Sequence, residues 1–314
     1  MRYGSGKYTY ECDVNWAKDV IEKYKIAVVA GVTVDEQDNV YVLTRSNPPT
    51  IVMDKSGKEL ETFGDRLFGR AHGMFRDKDG CLFGVDDARH VVYKFNDKRE
   101  VIMTLGTPDE ATDTGYTKDS KVVERSAGPF NRPTRVVTDD KGNIYITDGY
   151  GNARVHKFNA QGNLLKSWGT PGSDPGQFNL PHGIGISRDN KTLYVADRQN
   201  NRVQLFTTDG TFIDTWDDFE RPSDIWVDGE GVVYVSENRR SSNFDGFPPS
   251  RVTILTSYGK ILARLGEETL FYSEEKGFYS AHGLAVDHEG SIYVGCVGQR
   301  WPEGFSGLFK YRRV

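Results

Sequence analysis

The chain is short of cysteine, of long apolar runs and of excess positive charge, and each shortage removes a class of protein. Its three cysteines, Cys12, Cys81 and Cys296, are scattered through 314 residues. They make no metal or redox spacing, and so sparse and odd a set fits a reducing compartment better than a disulfide scaffold. No run of about 18 apolar residues occurs, so nothing reads as a transmembrane helix. The amino terminus, MRYGSGKYTYECDVNW, lacks the apolar stretch of a secretion signal. The expectation is a soluble, cytoplasmic protein with no membrane partner. Lys and Arg number 40 against 45 Asp and Glu, for a net charge of −5. With no basic run, nucleic acid is excluded as an expected partner. Nothing in the sequence indicates an oligomeric state.

What the chain does have is glycine and aromatic residues, spread evenly. There are 34 glycines and 12% Phe, Trp and Tyr. That composition suits many short strands and turns. Six segments share one pattern, starting at Ala30 (AGVTVDEQDNVYVLTR), His72 (HGMFRDKDGCLFGVDD) and Thr134 (TRVVTDDKGNIYITDG), then at His182 (HGIGISRDNKTLYVADR), Ser223 (SDIWVDGEGVVYVSEN) and His282 (HGLAVDHEGSIYVGCV). Each holds an apolar run, a turn of the Asp-x-x-Gly kind, a second run with Tyr-Val or similar, and two further runs. Four-stranded units repeating at this spacing are propeller blades. The fold class is therefore all-β, a six-bladed β-propeller expected to span residues 1–314 as one domain. The last unit is one strand short, so a strand at about residues 8–14 is expected to complete blade 6 and close the ring.

With the four strands of a blade running antiparallel, the first-to-second and third-to-fourth turns share one end. All of these are short. The long segments fall at the other end: Thr107–Arg132, Gly169–Pro181, Glu267–Ala281, Arg239–Pro249 and Gly298–Gly307. Long loops on a rigid scaffold are where binding and catalysis concentrate, so that end is the expected functional mouth.

The first position of each first strand lies at this mouth near the axis. Its occupants are Ala30, His72, Thr134, His182, Ser223 and His282, with the three histidines on alternate blades. Alternate blades of six face one another about 120° apart, so the imidazoles can converge. Three neutral imidazoles with room for a further ligand form an open zinc site of the catalytic kind. Iron(II), manganese(II) and cobalt(II) are compatible with the same donors. The plainer alternative is that His-Gly starts a strand and each ring bonds nearby backbone.

The second strand returns to the same mouth, ending in Arg45, Asp87, Gly149 before Tyr150, Arg198, Asn238 and Val297. Arg45 and Arg198 suit a small anionic substrate, most simply a carboxylate; alone, they read equally as surface ion pairs. Tyr150 can serve as general acid or base, or simply line the site. Asp87 can support a metal-bound histidine or pair with Arg89. One position earlier, Asp86, Asp148 and Asp197 recur from blade to blade, which reads as a structural role of bonding loop backbone.

The segments FNRPTRVVTDDKGNIYITDGYGNARVHKF, GQFNLPHGIGI and LYVADRQNNRVQLF carry a family resemblance. The blades resemble NHL repeats, and the chain is similar to the catalytic core of peptidyl-α-hydroxyglycine α-amidating lyase. The resemblance implies that His72, His182 and His282 bind zinc, that Tyr150 is the catalytic tyrosine, and that Arg45 and Arg198 grip the substrate carboxylate. It implies cleavage of an N-acyl-α-hydroxyglycine to an amide and glyoxylate. Three positions depart from the family. Ser280 stands where it has Met, and Gly151 where it has a disulfide-forming Cys. Gly283 replaces an Asp that helps hold a structural calcium, which argues against calcium here. Two other functions stay open: a zinc hydrolase of an amide, cyclic imide or lactone, and a non-catalytic NHL interaction platform.

Overall fold

A computed structural model describes residues 2–13, 15–238, 250–266, 280–297 and 307–314. The long loop 239–249, the linker 267–279 and the loop 298–306, all assigned above to the functional mouth, lie outside the described residues. The fold is a six-bladed β-propeller, built from six antiparallel sheets.

A hairpin of β1 (Arg2–Ser5) and β2 (Tyr8–Cys12) precedes a short helix, α1 (Lys18–Tyr24). Blade 1 is β3 (Val29–Val34), β4 (Val40–Thr44), β5 (Thr50–Met53) and β6 (Glu59–Phe63). Blade 2 is β7 (Ala71–Arg76), β8 (Leu82–Asp86), β9 (Val91–Phe95) and β10 (Val101–Leu105). Blade 3 is β11 (Pro133–Thr138), β12 (Ile144–Asp148), β13 (Arg154–Phe158) and β14 (Leu164–Trp168). Blade 4 is β15 (Pro181–Ile186), β16 (Thr192–Asp197), β17 (Arg202–Thr207) and β18 (Phe212–Trp216), with a 3-10 turn at Arg198–Asn200. Blade 5 is β19 (Pro222–Val227), β20 (Val233–Glu237), β21 (Arg251–Leu255) and β22 (Ile261–Leu265). Blade 6 is β23 (Ala281–Val286), β24 (Ile292–Cys296) and β25 (Leu308–Arg313). Among the described residues no helix is long and apolar enough to cross a membrane.

By its internal contacts the chain divides into two compact units. One, Leu67–Ile225, holds blades 2 to 4 and the start of β19. Its core is made of the faces where neighbouring sheets stack, such as Val137, Tyr145, Val155, Phe178, Ile184 and Phe206. The other comprises Met1–Arg66 and Trp226–Val314. Here β2 pairs antiparallel with β25, Tyr10 opposite Arg313 and Cys12 opposite Tyr311. The strand expected at about 8–14 is thus in place, covering the edge of the last blade. β1 adds a fifth strand to that sheet, which the repeat pattern did not suggest. Tyr3, Tyr10 and Tyr311 are buried beneath it, and Tyr3 meets Tyr311 edge-on with centroids 5.4 Å apart.

The turn between the first two strands explains the Asp-x-x-Gly signature. In blade 3, Asp139 Oδ1 accepts from the Lys141 and Asn143 amides while Oδ2 accepts from Tyr145 Oη. Asp35 with Tyr41, Asp228 with Tyr234 and Asp287 with Tyr293 repeat the carboxylate–phenol bond. Burial first, then neighbouring acidic groups, push the phenols of Tyr145, Tyr234 and Tyr293 well above the ordinary tyrosine range, so they remain donors. Blade 2 has Phe83 in place of the tyrosine, and Lys94 Nζ sits 3.3 Å from Asp77 instead.

The opposite end carries a second repeated device. In blades 1, 2, 3, 4 and 6 the pairing of the first strand with the second slips near its start. The slip lies between Val29 and Gly31, Ala71 and Met74, Pro133 and Arg135, Pro181 and Ile184, and Ala281 and Leu284. One residue more sits on the first strand than on its partner, a β-bulge that turns its side chain out of the alternation. The histidine column falls inside these bulges. It is the second residue of each strand rather than the expected first.

Candidate functional site

Three blades of one unit, residues Leu67–Ile225, carry most of the candidate residues. His72 Nδ1 lies 2.7 Å from Thr134 O in the next blade, and His182 Nδ1 lies 2.6 Å from Ser223 O. A carbonyl oxygen only accepts, so each Nδ1 carries the proton and each Nε2 presents a lone pair. The glycine after each histidine permits this contact. A Cβ at Gly73 would stand 2.5 Å from Thr134 O, and one at Gly183 would stand 2.7 Å from Ser223 O. The His-Gly pair therefore does two things. The ring bonds backbone, as the plainer reading expected, and the bond aims the other nitrogen outward.

What both Nε2 atoms meet is Tyr150. Its hydroxyl is 3.1 Å from His72 Nε2 and 3.2 Å from His182 Nε2, while the two imidazole centroids are 4.9 Å apart. One phenolic proton can serve only one nitrogen at a time, so three polar atoms share one proton at the centre of the site. Tyr150 follows β12 between two glycines, both required by crowding. A Cβ at Gly149 would fall 1.9 Å from Pro181 O, and one at Gly151 would fall 2.1 Å from Asn131 Oδ1. Gly151 is held by hydrogen bonds. Its amide donates to Asn131 O, and its carbonyl accepts from Thr114 Oγ1. This is how the long linker of residues 107–132 docks beside Tyr150.

Two arginines flank the phenol. The guanidinium carbons of Arg132 and Arg70 lie 5.3 Å and 5.6 Å from the Tyr150 ring centroid, within cation–π range. Both are gathered by Asp87, a fully buried carboxylate 2.7 Å from Arg132 Nη2 and 3.4 Å from Arg70 Nη1. Arg132 also donates to Tyr116 Oη from the linker at 3.0 Å, and its backbone amide donates to His90 Nδ1 at 3.0 Å. Burial, the leading influence, holds His90 below the usual histidine range, as befits an acceptor.

Of the two roles left open for Asp87, the pairing with Arg89 is not formed among the described residues. Arg89 reaches Asp109 instead, at 3.0 Å, because the linker returns past that side of β8. Arg198 sits in the 3-10 turn after β16, only 8% exposed. Among the described residues its Nε has no hydrogen-bond partner and its guanidinium no carboxylate. A buried cation so placed is suited to an incoming anion.

The recurrent acidic column is structural, as expected. Asp86 accepts from the Arg70, Ala88 and Arg89 amides, Asp148 from Asn131, and Asp197 from Asn179. Each holds the stretch that leads into its own first strand.

In the other unit, His282 is buried and repeats the same bond, its Nδ1 2.7 Å from Ala30 O. The residue after it, Gly283, offers no carboxylate, and a Cβ there would lie 3.0 Å from Ala30 O. Arg45 follows β4 with an exposed side chain.

Arg70, Arg132, Tyr116 and His90 were not singled out from the sequence. A signal existed for the arginines, since the residue two before the histidine column is Val28, Arg70, Arg132, Leu180, Arg221 or Ser280. Arg132, Leu180, Arg221 and Ser280 all have positive φ, which shows that this is a defined corner rather than a loose linker end.

Comparison with known proteins agrees with this architecture. The NHL repeat family model matches residues 130–158 and 178–206. Peptidyl-glycine alpha-amidating monooxygenase B of Xenopus laevis is 30% identical over 78% of this chain and 27% of its own length. A probable peptidyl-alpha-hydroxyglycine alpha-amidating lyase of Caenorhabditis elegans is 31% identical over 52% of this chain and 44% of its own. The chain thus spans less than half the length of these relatives. Among solved structures, a gluconolactonase from Xanthomonas campestris superimposes with a TM-score of 0.60 over 92% of this chain and 87% of that one, at 16% identity. That likeness is one of fold.

Proposed function

Starting from an NHL-repeat propeller that resembles the amidating lyases, we propose a metal-dependent lyase, with zinc the preferred metal. It breaks the carbinolamide-type C–N bond of a small, carboxylate-bearing substrate. The observation that carries this reading is the Tyr150 hydroxyl seated against the Nε2 atoms of His72 and His182. The donor set fits a metal. Each Nδ1 is committed to a carbonyl, each Nε2 keeps its lone pair, and His282 has the same backbone bond. We propose His72, His182 and His282, each of them buried, as the metal's ligands. When bound, zinc supplies Lewis acidity to the oxygen at the reacting carbon.

The remaining work falls to the chain's own groups. The carboxylate of the substrate is gripped by Arg198, whose buried Nε otherwise lacks a partner, with Arg45 as a second grip. Tyr150 relays a proton as the C–N bond breaks: its phenol gives its proton to the departing nitrogen while its oxygen takes that of the carbinol hydroxyl. The hydroxyl-bearing carbon leaves as an aldehyde and the nitrogen as a primary amide, so no water is consumed. Arg70 and Arg132 hold the phenol in place, fixed in turn by Asp87.

The test is incubation of the zinc-loaded protein with N-acyl-α-hydroxyglycines of small acyl groups. Glyoxylate and primary amide appearing together support the lyase. A free acid from an amide, imide or lactone substrate in place of glyoxylate would move the chemistry to a hydrolase. No turnover and no bound transition metal would leave the non-catalytic platform.

A further inference from the structure

Directly after the histidine column the first strands of this unit carry Gly73, Arg135, Gly183 and Asp224. Arg135 Nε lies 2.7 Å from Asp224 Oδ1, with the two side chains only 4% and 5% exposed. The pair joins blade 3 to blade 5 and so bridges the blades on either side of His182. Burying two charges is costly, and an apolar pair of similar volume would serve packing alone as well or better. Arg135 Nη1 is moreover buried without a hydrogen-bond partner among the described residues. Packing therefore does not account for an arginine at this place.

The neighbours of the pair do. Thr134, adjacent to Arg135, supplies the carbonyl that orients His72, and Ser223, adjacent to Asp224, supplies the one that orients His182. The ion pair thus ties together the two backbone positions on which both Nδ1 bonds depend. The Thr134 carbonyl has no regular ladder to hold it there. Thr134 is the extra residue of its bulge, and strand bulges leave such residues outside the pairing. A cross-blade tether next to that carbonyl supplies the missing restraint.

We infer that Arg135 and Asp224 are positioning residues for the metal-binding histidines, holding Thr134 O and Ser223 O so that His72 and His182 present Nε2. The inference rests on the metal reading given above for its first readout and is independent of it for its second. Groups behind a metal's direct ligands typically change metal affinity by about ten- to a hundredfold.

The experiment uses the full chain as wild type, Asp224→Asn and the double variant Arg135→Met/Asp224→Leu. The double variant removes both charges together and keeps the volume apolar, so it preserves folding where a single loss would strand a buried charge. The first readout is the zinc dissociation constant, by competition with a chromophoric chelator. The second is the histidine tautomer in metal-free protein, by nitrogen-15 NMR, with His72 and His182 assigned through single His→Gln variants.

The expected result for the folded double variant is zinc binding about ten- to a hundredfold weaker, with His72 and His182 no longer purely Nδ1–H. Asp224→Asn, which keeps an acceptor toward Arg135, should fall between. Zinc affinity within about twofold of wild type and unchanged tautomers in the double variant would overturn the inference. Should wild-type protein bind no zinc, the lyase reading fails while the tautomer arm still decides this one. Nδ1–H rings in wild type that become mixed in the variant would sustain it, and identical spectra would sink it.

Discussion

At one end of the sheets the turn between the first two strands is built alike in blade after blade. In blades 1, 2, 3 and 5 an Asp gathers two turn amides, in blade 4 Ser187 takes its place, and in blades 1, 3, 5 and 6 a buried tyrosine donates to the Asp carboxylate. At the other end the same backbone bulge recurs, but the side chains it carries differ. Histidine stands in blades 2 and 4 where threonine stands in blade 3, and among the described residues it is blade 3 that sends a tyrosine back toward them. Repetition of a side chain marks what every blade needs in order to fold. Departure from repetition, on an unchanged backbone, marks what the protein needs once. The acidic column shows that the distinction runs by residue and not simply by end. Asp86, Asp148 and Asp197 sit at the varied end yet are repeated, and they bond the backbone.

Substitutions at the two ends should therefore separate function from stability. The largest effect is expected from His182→Ala, which removes an oriented Nε2. Elemental analysis should show stoichiometric zinc in wild type and its loss in the variant, with turnover gone and the fold retained by circular dichroism. Wild-type protein holding no transition metal after zinc is supplied would remove the metal reading.

Next comes Tyr150→Phe, which keeps the ring between Arg70 and Arg132 but deletes the hydroxyl. Zinc content should be unchanged while kcat falls by about 10²- to 10⁴-fold, the range for loss of a proton-transfer group. Unchanged turnover would take Tyr150 out of the reaction.

A smaller loss is expected from Asp87→Asn. With the negative charge gone, Arg70 and Arg132 are no longer drawn together beside the phenol. A displaced catalytic group costs up to about a hundredfold in rate. The fall should appear in kcat, with KM little changed because Arg198 and Arg45 are untouched. An effect confined to KM would assign Asp87 to binding instead.

At the repeated end, Asp139→Ala should behave oppositely. It strands the Lys141 and Asn143 amides and the Tyr145 hydroxyl, at a cost of about 1–3 kcal/mol. Denaturant unfolding should register that loss while kcat per folded molecule stays the same.

The smallest effect is at Asp38, whose carboxylate takes the His288 amide and ring nitrogen, at 3.0 Å and 2.7 Å. Burial pushes its pKa up, but the His288 contacts outweigh it, and the net shift is downward. A carboxyl lowered in the folded state adds stability above its unfolded pKa, and this is lost as pH falls through the folded value. His288→Ala should cost no more than about 0.2–1 kcal/mol near neutrality, and less as the pH drops below about 4. An equal difference at both pH values would exclude the linkage.

The blade architecture was legible because its signals are local. Asp-x-x-Gly followed by an apolar run, present in blades 2, 3, 5 and 6 and varied to DEQDN and SRDNK in blades 1 and 4, needs only a turn and a strand to be recognised, and six similar units reinforce one another. The same regularity brought out His72, His182 and His282 as a column and placed Tyr150 at the end of a second strand. The arginine cage around Tyr150 was not legible, although Arg70 and Arg132 occupy one repeat position. Their side chains are long, and where they reach depends on a corner with positive φ at Arg132 and on the docked linker that brings Tyr116. Asp87 was visible as a candidate, either to support a metal-bound histidine or to pair with Arg89; its tie to Arg132 was not, since Arg89 is nearer along the chain while Arg132 is nearer in space.

By itself the sequence determined which residues repeat, and with them the number of blades, the strand that completes the last one, and the two histidines and one tyrosine brought together in blades 2 to 4. Those are consequences of short-range patterning, which any chain with this alternation must obey. Only the tertiary structure decided which nitrogen of each imidazole faces outward, because a carbonyl of the next blade, 62 residues along for His72 and 41 for His182, accepts the other. Only it paired Arg135 with Asp224 across 89 residues. A hydrogen bond reads distance in space, and in a propeller the blade next door is always one whole repeat away in sequence.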